Sequence, residues 1–170
     1  MLTLRTTKLL SLLVVSAFLF SFSPPKVYQT DFSGTWSLNE NKSELGQFGA
    51  RGAASKIVAE QKGNDITVTR TSTSFQGETL TSTETLTADG KTSESAFAGT
   101  GKKKSTMKWS ADGQTLTITY SIALDFNGQS LELSGVETWS LGADGKTLSL
   151  QTALTTPQGE IATKAVYDKQ

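Results

Sequence analysis

Neither cysteine nor histidine occurs anywhere in the 170 residues, and proline occurs only three times. Without cysteine there is no disulfide, no thiol nucleophile and no acylated lipoprotein terminus. Without histidine there is no Ser-His-Asp triad. Together the two absences remove the ordinary zinc, copper, haem and iron–sulfur sites. No Gly-x-x-x-x-Gly-Lys loop or dinucleotide fingerprint is present, so no cofactor is expected. An excess of one charge is also missing: 16 basic residues face 16 acidic ones. That balance gives no electrostatic case for nucleic acid or an anionic membrane surface.

Long apolar runs are absent but for one. Leu9 to Phe22 is apolar except for Ser11, Ser16 and Ser21, and the basic Arg5 and Lys8 precede it. This arrangement reads residues 1–23 as a secretory signal, too short and too lightly flanked for a comfortable membrane span. The alternative is an uncleaved N-terminal anchor. Residues 24–31, opening on Pro24-Pro25-Lys26, read as an extended linker. A single domain over 32–170 follows, long enough to bury a sizeable core without disulfides.

Within that domain one pattern recurs three times: Ala88-Asp89-Gly90-Lys91-Thr92, Ala111-Asp112-Gly113-Gln114-Thr115 and Ala143-Asp144-Gly145-Lys146-Thr147. Asp-Gly suits a type I′ hairpin, whose two central residues both need positive φ. Further turns are expected at Gly63-Asn64-Asp65, Gln76-Gly77-Glu78 and Asn127-Gly128. Between turns the residues alternate. Leu116, Ile118, Tyr120, Ile122, Leu124 and Phe126 share one face, and Thr115, Thr117, Thr119 and Ser121 share the other. The spacing predicts strands over 34–39, 55–62, 66–75, 79–87, 92–99, 103–110, 115–126, 130–141, 147–156 and 160–168. Links this short exclude helical crossovers. The fold class is therefore all-β, an antiparallel up-and-down meander of about 8–10 strands that must curl and close on its apolar face.

Phe32-Ser33-Gly34-Thr35-Trp36-Ser37-Leu38 opens the first strand. Its Gly-x-Trp resembles the first-strand signature of the calycins, the lipocalins and fatty-acid-binding proteins. Asn39-Glu40-Asn41-Lys42-Ser43, and Trp139 to Leu148 with its Asp-Gly-Lys-Thr-Leu ending, resemble exported bacterial lipocalin-like proteins. The resemblance implies that Trp36 plugs the closed end of the barrel, often beneath a basic side chain of the last strand, for which Lys164 is the candidate. It also implies that the 40–54 connection covers the open mouth. That stretch looks too short and too glycine-rich for the helical lid of fatty-acid-binding proteins. Localisation is expected to be the bacterial cell envelope, periplasmic or secreted, with no membrane span once the signal is removed.

Charges on the apolar face are the informative anomaly. Arg70 shares parity with Ile66 and Val68, Glu84 with Leu80 and Leu86, and Glu137 with Leu133 and Trp139. A charge buried alone is expensive. Either these residues form a polar patch in a ligand cavity, with Arg70 receiving a carboxylate, or they pair with each other. A bulge at Gly135 could instead turn Glu137 outward. A glycosidase-like Glu84–Glu137 pair lacks a visible substrate groove. Trp109 and Tyr120 also have inward parity, completing a candidate ligand-binding set of Arg70, Glu84, Trp109, Tyr120 and Glu137. Gly101-Lys102-Lys103-Lys104 reads as a solvated basic loop.

The leading functional expectation is an exported binding protein that holds a small apolar or amphipathic ligand inside the barrel. A structural or interaction protein of the envelope with a filled barrel is the alternative. An enzyme ranks third, and a membrane-embedded barrel fourth. The sequence names neither a ligand nor an oligomeric state.

Overall fold

A computed structural model describes residues 27–74, 76–97, 101–126 and 129–170. The expected signal over 1–23, residues 24–26 of the expected linker and the expected turn at Asn127-Gly128 lie outside the described residues. Ten strands follow in order: β1 Gly34–Leu38, β2 Lys56–Lys62, β3 Asp65–Thr73, β4 Thr79–Thr87, β5 Ser93–Phe97, β6 Gly101–Trp109, β7 Leu116–Phe126, β8 Gln129–Leu141, β9 Thr147–Thr156 and β10 Gly159–Lys169. They form one antiparallel sheet in the order β4-β3-β2-β1-β10-β9-β8-β7-β6-β5. Every pairing joins neighbours in sequence except β1–β10, which sets Trp36 opposite Lys169 and Leu38 opposite Tyr167. The sheet curls into a nearly closed barrel whose two edges, β4 and β5, carry no ladder between them among the described residues.

The turns explain the hairpins. In the second and third copies of the repeat, Gly113 N–H donates to the Ser110 carbonyl and Gly145 N–H to the Gly142 carbonyl, each at 2.9 Å. Alanine and aspartate therefore occupy the centre of each turn, and glycine follows at φ 70° and 64°. This corrects the expected type I′ turn, in which Asp and Gly would both be central. The aspartate is better used one place earlier. Its carboxylate accepts the main-chain N–H two residues on, from Gln114 to Asp112 and from Lys146 to Asp144. The first copy makes the same local bond, from Lys91 to Asp89. However, Ala88 N–H donates to the Asn64 carbonyl, tying the end of β4 to the β2–β3 turn. No hairpin forms there, and the sheet stops.

All three copies lie at one end of the barrel, which the core closes. Phe32 stacks on Trp109 with ring centres 5.7 Å apart and meets Trp139 edge-on at 5.6 Å. Trp36, fully buried, donates its indole N–H to the Phe32 carbonyl at 3.0 Å. The basic cap over Trp36 is Lys169, with its ammonium 5.1 Å from the ring centre. The expected Lys164 lies further along β10, where its main chain bridges Glu44. Gly34 adopts φ 146°, a backbone conformation that favours glycine, and leaves room beside it for Lys169 Cε.

Beyond the short β1 and β2, the 39–54 connection fills the barrel wall between β10 and β3. Glu44 and Lys164 exchange both main-chain bonds, and Ser55 N–H donates to the Thr71 carbonyl. Short 3-10 turns over Glu40–Lys42 and Gly46–Gly52 carry Leu45 into the core. The connection is thus built into the wall near the open end.

Replacing Trp36 with alanine removes the plug and the seat of Lys169, and should destabilise the fold by roughly 3–5 kcal/mol. Urea denaturation of Trp36→Ala checks this. A loss under about 1 kcal/mol would make Trp36 peripheral.

Candidate functional site

Strand alternation delivers four of the five candidate residues to one level of the barrel interior. Arg70 comes from β3, Glu84 from β4, Tyr120 from β7 and Glu137 from β8. The β7–β8 register runs unbroken through Gly135, so no bulge turns Glu137 outward. Glycine at 135 serves a different purpose. It faces Tyr120 across the ladder, and a Cβ there would fall 2.6 Å from the Tyr120 ring carbon Cζ. The tyrosine therefore lies flat over the glycine.

The charges pair with each other. Arg70 Nη2 donates to Glu137 Oε1 at 2.6 Å, and Nη1 donates to Glu84 Oε1 at 3.2 Å. The guanidinium also lies over the Trp139 ring, 5.6 Å from its centre, while the Trp139 indole N–H donates to Glu137 Oε1. Lys103 Nζ donates to both oxygens of Glu84, at 2.8 and 3.0 Å, and Ser105 Oγ donates to Oε2 at 3.2 Å. The Lys103 ammonium stands 4.9 Å from the centre of the Tyr120 ring. Side-chain exposure is 15% for Arg70 and Glu137, 13% for Lys103 and 8% for Glu84, so water reaches the layer from one side only.

Protonation follows from these contacts. Burial opposes ionisation of Glu84 most strongly. The charges of Arg70 and Lys103 and the hydrogen bonds from Lys103 and Ser105 outweigh it, holding the carboxyl below its ordinary value of 4.5. Burial likewise works against the Arg70 charge, and Glu137 and Glu84 override it. Tyr120 is pushed up to about 12 by burial and then by the Glu137 charge. Tyr167, fully buried on β10, is raised for the same two reasons.

Trp109 stands apart from this layer, in the closed-end aromatic cluster with Phe32. Its indole nitrogen is buried and has no hydrogen-bond partner. Lys103 was missed, since Gly101 to Lys104 read as a loop. The four residues in fact open β6, with Lys102 and Lys104 exposed outside and Lys103 turned in. Extending the alternation of Ser105 and Met107 two residues back would have found it. Among the described residues, no three Asp or Glu side chains converge as metal ligands, and no helix is long and apolar enough to cross a membrane.

Above the charged layer the interior changes character. Leu80, Phe97, Leu124, Leu131, Leu133 and Leu154 point inward by alternation, and each stays partly or largely exposed. Below the layer, Ile66, Val68, Leu86, Leu116, Ile118 and Leu148 are all buried. Inward-facing apolar side chains are thus buried at one end of the barrel and partly exposed, lining its open end, at the other.

No protein-family model matches the sequence, and no curated protein matches it in a sequence comparison. Among solved structures, the crystal structure of zebrafish ileal bile acid-binding protein complexed with cholic acid is similar to this chain. The TM-score is 0.50 and the identity 21%, covering 82% of this chain and 98% of that one. At this identity the likeness is one of fold, and it places the ten-stranded meander in the calycin-like class.

Two measurements test the layer. Arg70→Met strands Glu137 and weakens the hold on Glu84, so it should destabilise by roughly 3–5 kcal/mol. Glu137→Gln leaves Arg70 with Glu84 and should lose only about 1–2 kcal/mol. The double variant should be more stable than Arg70→Met alone, because no carboxylate is then stranded. Strictly additive urea-melt losses would show that the pair is uncoupled.

The pH profile should fall on both sides. Glu84 has a depressed folded pKa, so the stability it contributes is present above its ordinary 4.5 and lost as pH drops through the folded value. Tyr120 has a raised one, so its contribution is present below its ordinary 10.0 and lost as pH climbs toward about 12. A urea midpoint that held steady above pH 10 would contradict the burial of the tyrosines.

Proposed function

We propose that the protein is an exported carrier that holds a small apolar or amphipathic molecule in the open half of its barrel. The observation that carries this reading is the exposed apolar lining of the cup. Leucines and a phenylalanine face inward above the charged layer without being buried by one another. Apolar surface left open inside a concave wall is surface a ligand can cover, at about 25 cal/mol gained per Å² removed from water. The structurally similar zebrafish protein was crystallised with cholic acid, which supports the choice of an amphipathic guest. Export rests on Arg5, Lys8 and the Leu9–Phe22 run. An enzymatic role has no support from the layer, whose carboxylates are held by cations and by indole or serine donors.

One observation favours the alternative of a structural envelope protein: the lower half holds a buried apolar core, and the charges of the ionic layer pair with one another. Native mass spectrometry of the protein recovered from its own envelope fraction separates the two. The carrier reading expects a chain starting between about residues 18 and 30, bearing a non-covalent adduct that solvent extraction removes. A bare chain that binds nothing after extraction, in any lipid extract offered, would leave the structural reading in front.

A further inference from the structure

Resting on the carrier reading, we infer that the cup selects uncharged guests, such as long-chain alcohols, esters or sterol-like molecules, over carboxylates and amines. The floor of the cup decides this. Two cations, Arg70 and Lys103, face two carboxylates, Glu84 and Glu137, and the formal charges cancel. Tyr120 and Tyr167, the titratable side chains beside them, are neutral hydroxyls across the physiological range.

A guest carboxylate reaching this floor meets no unpaired cation. To contact Arg70 it must displace Glu137 at 2.6 Å or Glu84 at 3.2 Å. To contact Lys103 it must share the ammonium with both oxygens of Glu84. The exchange replaces one carboxylate with another and leaves a surplus negative charge in a layer that is at most 15% exposed. Excess buried charge is costly, whereas a hydroxyl or carbonyl has little desolvation to lose and needs only one neutral partner. An ammonium head meets the mirror-image problem of charge: both oxygens of Glu84 and Oε1 of Glu137 already accept bonds, and the added cation leaves the balanced layer with a surplus positive charge.

Neutral partners are at hand. Ser72 and Ser82 point into the cup from β3 and β4, Ser95 from β5 and Thr163 from β10, by the same alternation that points the leucines inward. Ser82 pairs with Arg70 across the β3–β4 ladder, and Ser95 pairs with Lys103 across β5–β6. Hydroxyls therefore rim the layer on the side open to water, where a short polar head would arrive first.

The test titrates the delipidated mature protein with dodecan-1-ol, dodecanoate and dodecylammonium at neutral pH, reading bound guest by native mass spectrometry and heat by calorimetry. Dodecan-1-ol is expected to bind at least about tenfold more tightly than either ion. Glu137→Gln removes one negative charge and leaves the layer net positive, so dodecanoate should gain on dodecan-1-ol in that variant. Should that variant fail to fold, the wild-type ranking decides alone. Dodecanoate binding as tightly as the alcohol overturns the inference and leaves the carrier reading standing. Binding of none of the three overturns the carrier reading and the inference with it.

Discussion

Glu84 lies on β4, one of the two sheet edges that no backbone ladder joins. Across the break its carboxylate takes the Lys103 ammonium and the Ser105 hydroxyl of β6. On its own side it takes Arg70 of β3. Side chains therefore close the barrel where the main chain does not. The charges on the apolar face follow from that. Glu84 needs cations to be buried, Arg70 needs a second carboxylate to balance it, and Glu137 supplies one while anchoring Trp139.

This layer also divides the interior. On one side, aromatic and aliphatic residues form a buried core around Trp36, beneath Lys169. On the other, side chains of the same chemistry stay wet. The difference lies in what surrounds them. At the closed end the three Ala-Asp-Gly turns and the Phe32 segment converge, while the 39–54 connection fills the wall nearer the mouth. One strand pattern, read twice, yields a core at one level and an exposed apolar lining at another.

Much of this was legible in the residues. Period-two alternation placed every strand to within about two residues and put Arg70, Glu84 and Glu137 inside. Three matters were not legible, each because one local pattern serves two structures. Ala88 to Thr92 matches Ala143 to Thr147 residue for residue, yet among the described residues no β4–β5 ladder forms beside it. Gly101 to Lys104 has turn composition, yet Lys103 is held inside by a carboxylate on another strand. Lys169 rather than Lys164 caps Trp36 because the β1–β10 register pairs Trp36 with Lys169, and no local signal sets that register.

The same break has a meaning for how the chain could be rewired. Asp89, Gly90 and Lys91 are exposed, and no β4–β5 rung would be cut by opening the chain there. Phe32 and Lys169 meet at the closed end, both against Trp36. A linker joining the two present ends, with new ones at Gly90, would turn the sheet into a single uninterrupted run from β5 through β10 and β1 to β4. Strand order in sequence would then equal strand order in space, and every ladder would be a neighbour's. β1 enters that run one strand past its middle, which is why a single long-range pairing, β1 with β10, must form before the barrel can exist.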